Sequence, residues 1–339
     1  MQALLLIPGG GGQFHFGETG LDDSSDLLHS DTLFSALANI YEYALSGAEV
    51  FIDLVESRRL SFSSGLYALL KQGELSLLFV PKPVVTYSKT DDRKLHKSLK
   101  YFSLGVFEEF RKSFDPLKHE SGLDLSMYSS IDNEFLCLAE ELAGMPDELK
   151  NHSFRRFTTS PKVKVHTTFE DNDRLYHETT IQFNSFFVDG VKYEGAYCVL
   201  FDADALTTEE RQEFLAAVRI MADEGVGGQR SSGKGQFREV REVTIALPFS
   251  EDASRYLGIS VLSPASNDEF ESLERYELFV RGGGSLGWRG TGEKHRKQAR
   301  LIREGAVMSR NITGRVVDLS PDAETGSIKR NGINFAIPI

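Results

Sequence analysis

The stretch Gly225-Val-Gly-Gly-Gln-Arg-Ser-Ser-Gly-Lys-Gly-Gln-Phe237 decides how the rest of the chain is read. Its five glycines permit a backbone that bends sharply and turns N–H groups outward. Arg230 and Lys234 add positive charge, and Ser231 and Ser232 add hydroxyls. A loop so built can approach a phosphate chain closely. Gly228, Gly233 and Lys234 fit the spacing G-x-x-x-x-G-K of nucleoside-triphosphate loops, but Gly235 stands where Ser or Thr would hold magnesium. Context points the same way. Apolar Phe214, Leu215, Val218 and Met221 predict a helix over roughly 207–223, and the alternation of 236–245 predicts a strand. Helix, glycine loop, strand is the reverse of the nucleotide-hydrolysing order. The alternative is a helix-to-strand turn without a ligand, which needs neither the two cations nor the two serines.

Outward from the loop, Val191–Phe201 reads as a strand that feeds the helix, and Met1–Pro8 as the first strand. Leu33, Phe34, Leu37, Ile40 and Tyr41 mark a helix capped by Ser30 or Asp31. Leu75–Val80 reads as a buried strand ended by Pro81 and Pro83. Residues from about 84 to 178 read as an insertion, with an amphipathic segment near Val106–Phe114 and a weaker helix around Asn133–Leu142. Two alternating strands follow, Pro161–Phe169 and Arg174–Phe183, joined by a turn at Glu170–Asp173 into a hairpin over 161–183. The order β-α-β, insertion, β-α-loop-β predicts an α+β fold whose residues 1–245 form a ferredoxin-like, RRM-like domain. Residues 246–339 read as a second, more β-rich ferredoxin-like domain, with strands at Tyr256–Leu262, Arg275–Arg281, Leu301–Met308 and Gly332–Ile339.

The 339 residues carry a formal net charge of −12, which argues against indiscriminate nucleic-acid binding. The charge is uneven. Glu18, Asp22, Asp23, Asp26 and Asp31 cluster near the start, whereas 281–303 and the stretch Lys89, Arg93, Lys94, Lys97, Lys100 are basic. Such a chain suits a subunit that holds one nucleic acid and also docks protein partners. Cys137 and Cys198 match no metal or redox spacing and read as buried thiols. Asp91, Asp92, Asp171 and Asp173 lack calcium-loop spacing. No apolar run approaches a membrane span, and the start lacks a signal peptide, so a cytoplasmic location without membrane contact is expected.

Several segments occur in an order that resembles the RAMP superfamily. They are Phe14-His-Phe-Gly-Glu18, His29-Ser-Asp-Thr-Leu-Phe-Ser-Ala36, Val80-Pro-Lys-Pro83, the glycine loop, Arg281-Gly-Gly283, Glu304-Gly-Ala-Val307 and Asn331-Gly-Ile-Asn-Phe-Ala-Ile-Pro-Ile339. The second and last of these narrow the resemblance to the subunit of type III-A (Csm) CRISPR effector complexes that caps the 5′ end of the CRISPR RNA (crRNA). The resemblance implies a non-catalytic subunit with no cofactor or metal. It implies a crRNA 5′ tag clamped on the glycine loop, with a Cas10-type large subunit on one side and a Csm-type backbone subunit on the other. It also implies a thumb-like hairpin, for which 161–183 is the candidate. Two departures stand out: Gly9-Gly-Gly-Gly12 replaces a Ser- or Thr-containing loop, and Lys234 replaces a frequent aromatic residue.

The RNA-binding candidates are then Gly227, Gly228, Gln229, Arg230, Ser231, Ser232, Gly233, Lys234 and Gly235, through backbone N–H groups and the two cations. His29, Ser30 and Thr32 would place a helix N-terminus beside the RNA, with His15, Arg296 and Lys297 as further contacts. The competing enzyme reading is a metal-independent endoribonuclease that processes CRISPR RNA precursors with His15 or His29 as general base. No second acid or base has a telling spacing to either histidine.

Overall fold

In the computed structural model, residues 1–9, 11–17, 24–89, 92–147, 149, 154–164, 174–248, 253–282, 284–286, 293–295, 297–320 and 328–339 are described. The run Gln2–Pro8 forms β1, followed by helices α1 (Ser30–Ala44) and α2 (Ala48–Glu56). Strands β2 (Leu66–Lys71) and β3 (Glu74–Pro81) make a hairpin. Helix α3 (Arg93–Ser98), strand β4 (Tyr101–Ser103), helix α4 (Leu104–Ser113) and strands β5 (Ser129–Ile131) and β6 (Phe135–Cys137) come next. Then β7 (Arg155–Lys164) and β8 (Arg174–Phe183) pair, and β9 (Val191–Asp202), α5 (Thr208–Glu224) and β10 (Phe237–Thr244) complete the N-terminal part.

The main sheet runs β5-β6-β4-β3-β2-β9-β1-β10. Its centre, β2-β9-β1-β10, is antiparallel throughout. The reason β1 is almost wholly apolar is that both of its faces are covered. Leu4 and Leu6 point to the side of α1, α2 and α5, in a core with Phe34, Tyr197 and Phe214. Ala3, Leu5 and Ile7 point to the other side. There they meet Leu257, Val307, Phe335 and Ile337 from the C-terminal part. Cys137 and Cys198 are buried free thiols, and burial pushes both well above the ordinary thiol range.

That C-terminal part has strands β11 (Tyr256–Gly258), β12 (Leu273–Arg275), β13 (Leu278–Arg281), β14 (Ala299–Ile302), β15 (Val307–Met308) and β16 (Ala336–Pro338). Helix α6 (Asn267–Glu271) lies between β11 and β12. Its four-stranded sheet runs β12-β15-β11-β16. Counted along the chain, both sheet centres show the order second-third-first-fourth.

The structure changes several expectations. Residues 133–142 do not form a helix: β6 pairs in parallel with β4 there, because Phe135, Leu136 and Cys137 are needed on both faces of the sheet. Part of the expected insertion thereby extends the central sheet. Strand β2 and helix α2 add to the expected elements. The hairpin begins at Arg155, not Pro161, while its turn at Glu170–Asp173 lies outside the described residues. The cap of α1 is His29, with no side-chain capping bond. The expected strand 301–308 is split into β14 and β15, with Gly305 at φ +97° between them. No described helix is long and apolar enough to cross a membrane.

Candidate nucleic-acid interface

Helix α5 begins with a capping box in which Thr207 and Glu210 satisfy each other's backbone N–H groups. It ends at Gly225, whose φ of +89° carries the chain into the glycine loop. The neck of the loop requires glycine on both sides. A Cβ at Gly225 would stand 2.7 Å from the Lys234 carbonyl oxygen, and one at Gly235 would stand 2.3 Å from that of Val226. The neck closes with Val226 N–H donating to the Gly235 carbonyl at 3.0 Å.

One wall of the loop lies on the segment containing Gln13, Phe14 and His15. Gly228 N–H donates to the His15 carbonyl at 2.8 Å, and Gly235 N–H to that of Gln13 at 2.9 Å. A Cβ at Gly227 would stand 2.5 Å from the His15 carbonyl. The Gln13–Phe14 strand also pairs with β8, so the loop and the hairpin share one foundation. His15 is buried, and its Nδ1 lies 2.8 Å from the Thr179 carbonyl of β8. Its ring is thereby anchored to the hairpin.

The loop corrects part of the sequence reading. The N–H groups of Gly225, Val226, Gly228, Ser232, Gly233 and Gly235 all donate within the chain, so they do not turn outward as a phosphate cradle. Lys234 is not free either. Its Nζ is 2.5 Å from Glu178 of β8, and the side chains are 11% and 4% exposed. Low exposure favours this pair over solvent, and it joins the loop to the hairpin. What stands out to solvent is the tip: Arg230, Ser231, Ser232 and Gly233 are exposed or nearly so, and Arg230–Ser232 form a single 3₁₀ turn after Gln229 at φ +59°. The Ser232 hydroxyl donates to the Gln229 carbonyl at 2.8 Å, so its oxygen is left to act as an acceptor. Arg230 has no ion-pair partner among the described residues.

The block His29-Ser-Asp-Thr32 is elsewhere in the molecule and largely buried. Asp31 receives two bonds from Arg281, at 2.8 and 2.7 Å, and one from Arg330 at 3.1 Å. Burial alone would raise its pKa, but the two guanidinium groups hold the carboxyl well below the usual range. Arg281 also donates to the Thr32 hydroxyl at 2.9 Å. Ser30 accepts from Val261 N–H at 3.0 Å. His29 Nδ1 is 2.8 Å from Glu304, and its Nε2 is 2.7 Å from the Ser25 hydroxyl. The helix N-terminus expected to meet RNA is therefore occupied by the C-terminal part of the same chain. His29, Ser30 and Thr32 knit the two parts together. His15 and His29 sit in separate networks, and the structure does not bring them together as an acid–base pair.

Arg296 lies outside the described residues; Lys297 is exposed, and its backbone N–H donates to the Leu319 carbonyl at 3.0 Å. Residues not singled out from the sequence matter as much. Arg155, at the root of the hairpin, is buried, ion-paired to Glu134 at 2.5 Å and stacked 4.6 Å from the Tyr67 ring centre. Arg281 and Glu304 lie within motifs noted for their order, without a role. Their pairing with Asp31 and His29 spans 250 and 275 residues of sequence and leaves no local signal.

Residues 251–339 match the family model described as the CRISPR Csm4 C-terminal domain. A protein of Methanocaldococcus jannaschii described as CRISPR system Cms protein Csm4 is 24% identical over 357 residues, covering 95% of this chain and 89% of that one. A chain of the Csm3–Csm4 subcomplex of a type III-A interference complex superposes with a TM-score of 0.69 at 20% identity, covering 100% of this chain and 99% of that one. A chain of a Csm1–Csm4 cassette in complex with cA4 gives 0.54 at 17% identity, with 100% and 97% covered. Residues 251–339 therefore match the Csm4 C-terminal domain model, and the whole chain is similar to a Csm4 protein in sequence and to a chain of the Csm3–Csm4 subcomplex in fold.

Proposed function

We propose that this chain is a non-catalytic subunit of a type III-A CRISPR effector, that it holds the 5′ tag of the crRNA, and that it joins a Cas10-type large subunit to the backbone subunits. The relatives support the two protein partners, since one solved relative is a Csm3–Csm4 subcomplex and another pairs Csm4 with Csm1. Work on CRISPR RNA fits a cytoplasmic location. We divide the chain into ferredoxin-like domains at 1–245 and 246–339. The shared strand order of the two sheets supports that division. Modules of this fold often stack bases on an open sheet face. Here that face is buried under the C-terminal part, so RNA is held by loops.

The observation that carries the reading is the exposed Arg230-Ser231-Ser232 tip, fixed at its neck and braced on the hairpin by Lys234 and Glu178. The hairpin β7–β8 is the proposed thumb. Arg230 is the main phosphate donor and Ser231 and Ser232 support it; Lys234 acts by bracing. In a reconstituted complex, Arg230→Ala should weaken tag binding and lower the slope of log affinity against log salt by about one. An unchanged salt titration would reject the reading.

A further inference from the structure

The hairpin β7–β8 is tied to the body unevenly. Strand β8 pairs with Gln13–Phe14, and its Glu178 holds Lys234. Strand β7 pairs with β8 alone among the described strands, so its ties to the body lie at its root. There Arg155 is 2% exposed, one of the largest fully buried side chains among the described residues. We propose that Arg155 is the positioning residue of the hairpin. Its guanidinium, seated among aromatic rings of the main sheet, sets the direction in which the hairpin leaves the body, and so the nucleotide that the hairpin meets. The inference rests on the reading of the hairpin as a thumb over RNA and adds what aims it.

The rings come from separate elements. The guanidinium carbon lies 4.6 Å from the ring centre of Tyr67 on β2, 5.8 Å from that of Tyr101 on β4 and 5.1 Å from that of Phe135 on β6. A fourth ring, Phe157, lies 5.1 Å away and belongs to β7 itself. A planar, weakly hydrated guanidinium keeps such a seat better than a compact, strongly hydrated ammonium. Charge alone does not account for the residue. Glu134, 2.5 Å from Arg155, also has Lys100 at 3.0 Å, so its carboxylate would keep a cationic neighbour without Arg155. Stability does not account for it either, since well-packed apolar side chains commonly match a buried ion pair. What an apolar side chain lacks is a fixed direction toward both Glu134 and the rings. The rest of the root is closely fitted and transmits that direction. Asn184 N–H donates to the Phe154 carbonyl at 2.9 Å, and a Cβ at Gly195 would stand 2.6 Å from the Phe183 ring. At about 3.3 Å per residue, the stretch from Arg155 to Lys162 is a lever of about 23 Å, so a tilt of about 15° at the root moves Lys162 by about 6 Å.

The test places spin labels on the full chain through Lys162→Cys and Gln212→Cys. Both positions are exposed, whereas the native thiols Cys137 and Cys198 are buried. Pulsed dipolar spectroscopy should give one narrow distance band. Arg155→Lys keeps a charge beside Glu134; it should lower the melting temperature, retain a cooperative transition and, below that transition, shift or broaden the band by about 6 Å. Phe157→Leu removes the exposed wall of the seat without altering a buried charge, and should broaden the band less. If Arg155→Lys loses its cooperative transition, the Phe157→Leu distances decide. A photoreactive group on the Lys162→Cys thiol, in the assembled complex with its guide RNA, then reads the consequence. It should label one nucleotide with Arg155 in place, and neighbouring nucleotides as well in the variants. Unchanged distances in folded variants would overturn the inference and leave the RNA-holding reading intact. A displaced hairpin that still labels the same nucleotide would overturn it too. No RNA label from the hairpin with Arg155 in place would remove the thumb reading and this inference with it, while the salt titration of Arg230→Ala decides the glycine loop separately.

Discussion

Asp31 shows what one carboxylate does when two guanidinium groups close on it. Replacement by Asn leaves Arg281 and Arg330 buried without a full counter-charge, and such a loss costs about 3–5 kcal/mol. Asp31→Asn should lower the unfolding free energy of the isolated chain in a urea titration by that amount, and a change below about 1 kcal/mol would show the pair to be dispensable. The same residues set an acid limit. Asp31 and Glu304 both titrate below the ordinary carboxylate range in the folded chain. The unfolded chain therefore takes up more protons as the pH falls. The stability they contribute is complete above about pH 5 and is lost as the pH drops through the folded-state values. Unfolding free energy measured across that range should fall on acidification, and Asp31→Asn should flatten the fall. His29 and Asp31 were legible as a helix start but not as a junction, because their partners lie in the other half of the sequence.

The glycine loop makes a prediction about elements. Gly233 has a φ of +79° and open space where a Cβ would stand, whereas Gly235 combines φ +84° with a Cβ clash on Val226. Gly233→Ala should therefore cost only the backbone strain, about 1 kcal/mol. Gly235→Ala should cost considerably more and should also weaken tag binding, since the neck must open. Equal losses in denaturant titrations would show that the neck geometry is not what the glycines serve. Glu178→Gln adds a second reading of the same element. It leaves the 11% exposed Lys234 without a full counter-charge, so the loop should become more susceptible to limited proteolysis at 229–233 and the melting temperature should fall. The helix, loop and strand were all legible from periodicity and glycine spacing. The inward direction of six N–H groups was not, because their acceptors are set by Gln13, His15 and the turn itself.

At the scale of the whole molecule, the two parts share a core. Leu257, Val307, Phe335 and Ile337 cover the face of the main sheet that carries Ala3, Leu5, Ala196 and Leu200. A chain ended at residue 247 would expose that face, and contiguous apolar surface of this kind drives association. It should bind a hydrophobic dye and elute as aggregate, whereas a monomeric, cooperatively melting fragment would show the halves to be independent. The sequence by itself determined the helices and strands with strong periodicity, the special backbone of 225–235 and the resemblance that points to a type III-A subunit. These depend on residues close together in the chain, where spacing and side-chain chemistry speak directly. Only the tertiary structure decided that the main sheet is covered on both sides, that Asp31 and His29 are held from the far end of the chain, and that Lys234 is paired to Glu178. Those are contacts between distant segments, made when burial brings charges out of water and each must find the partner that the fold places within reach.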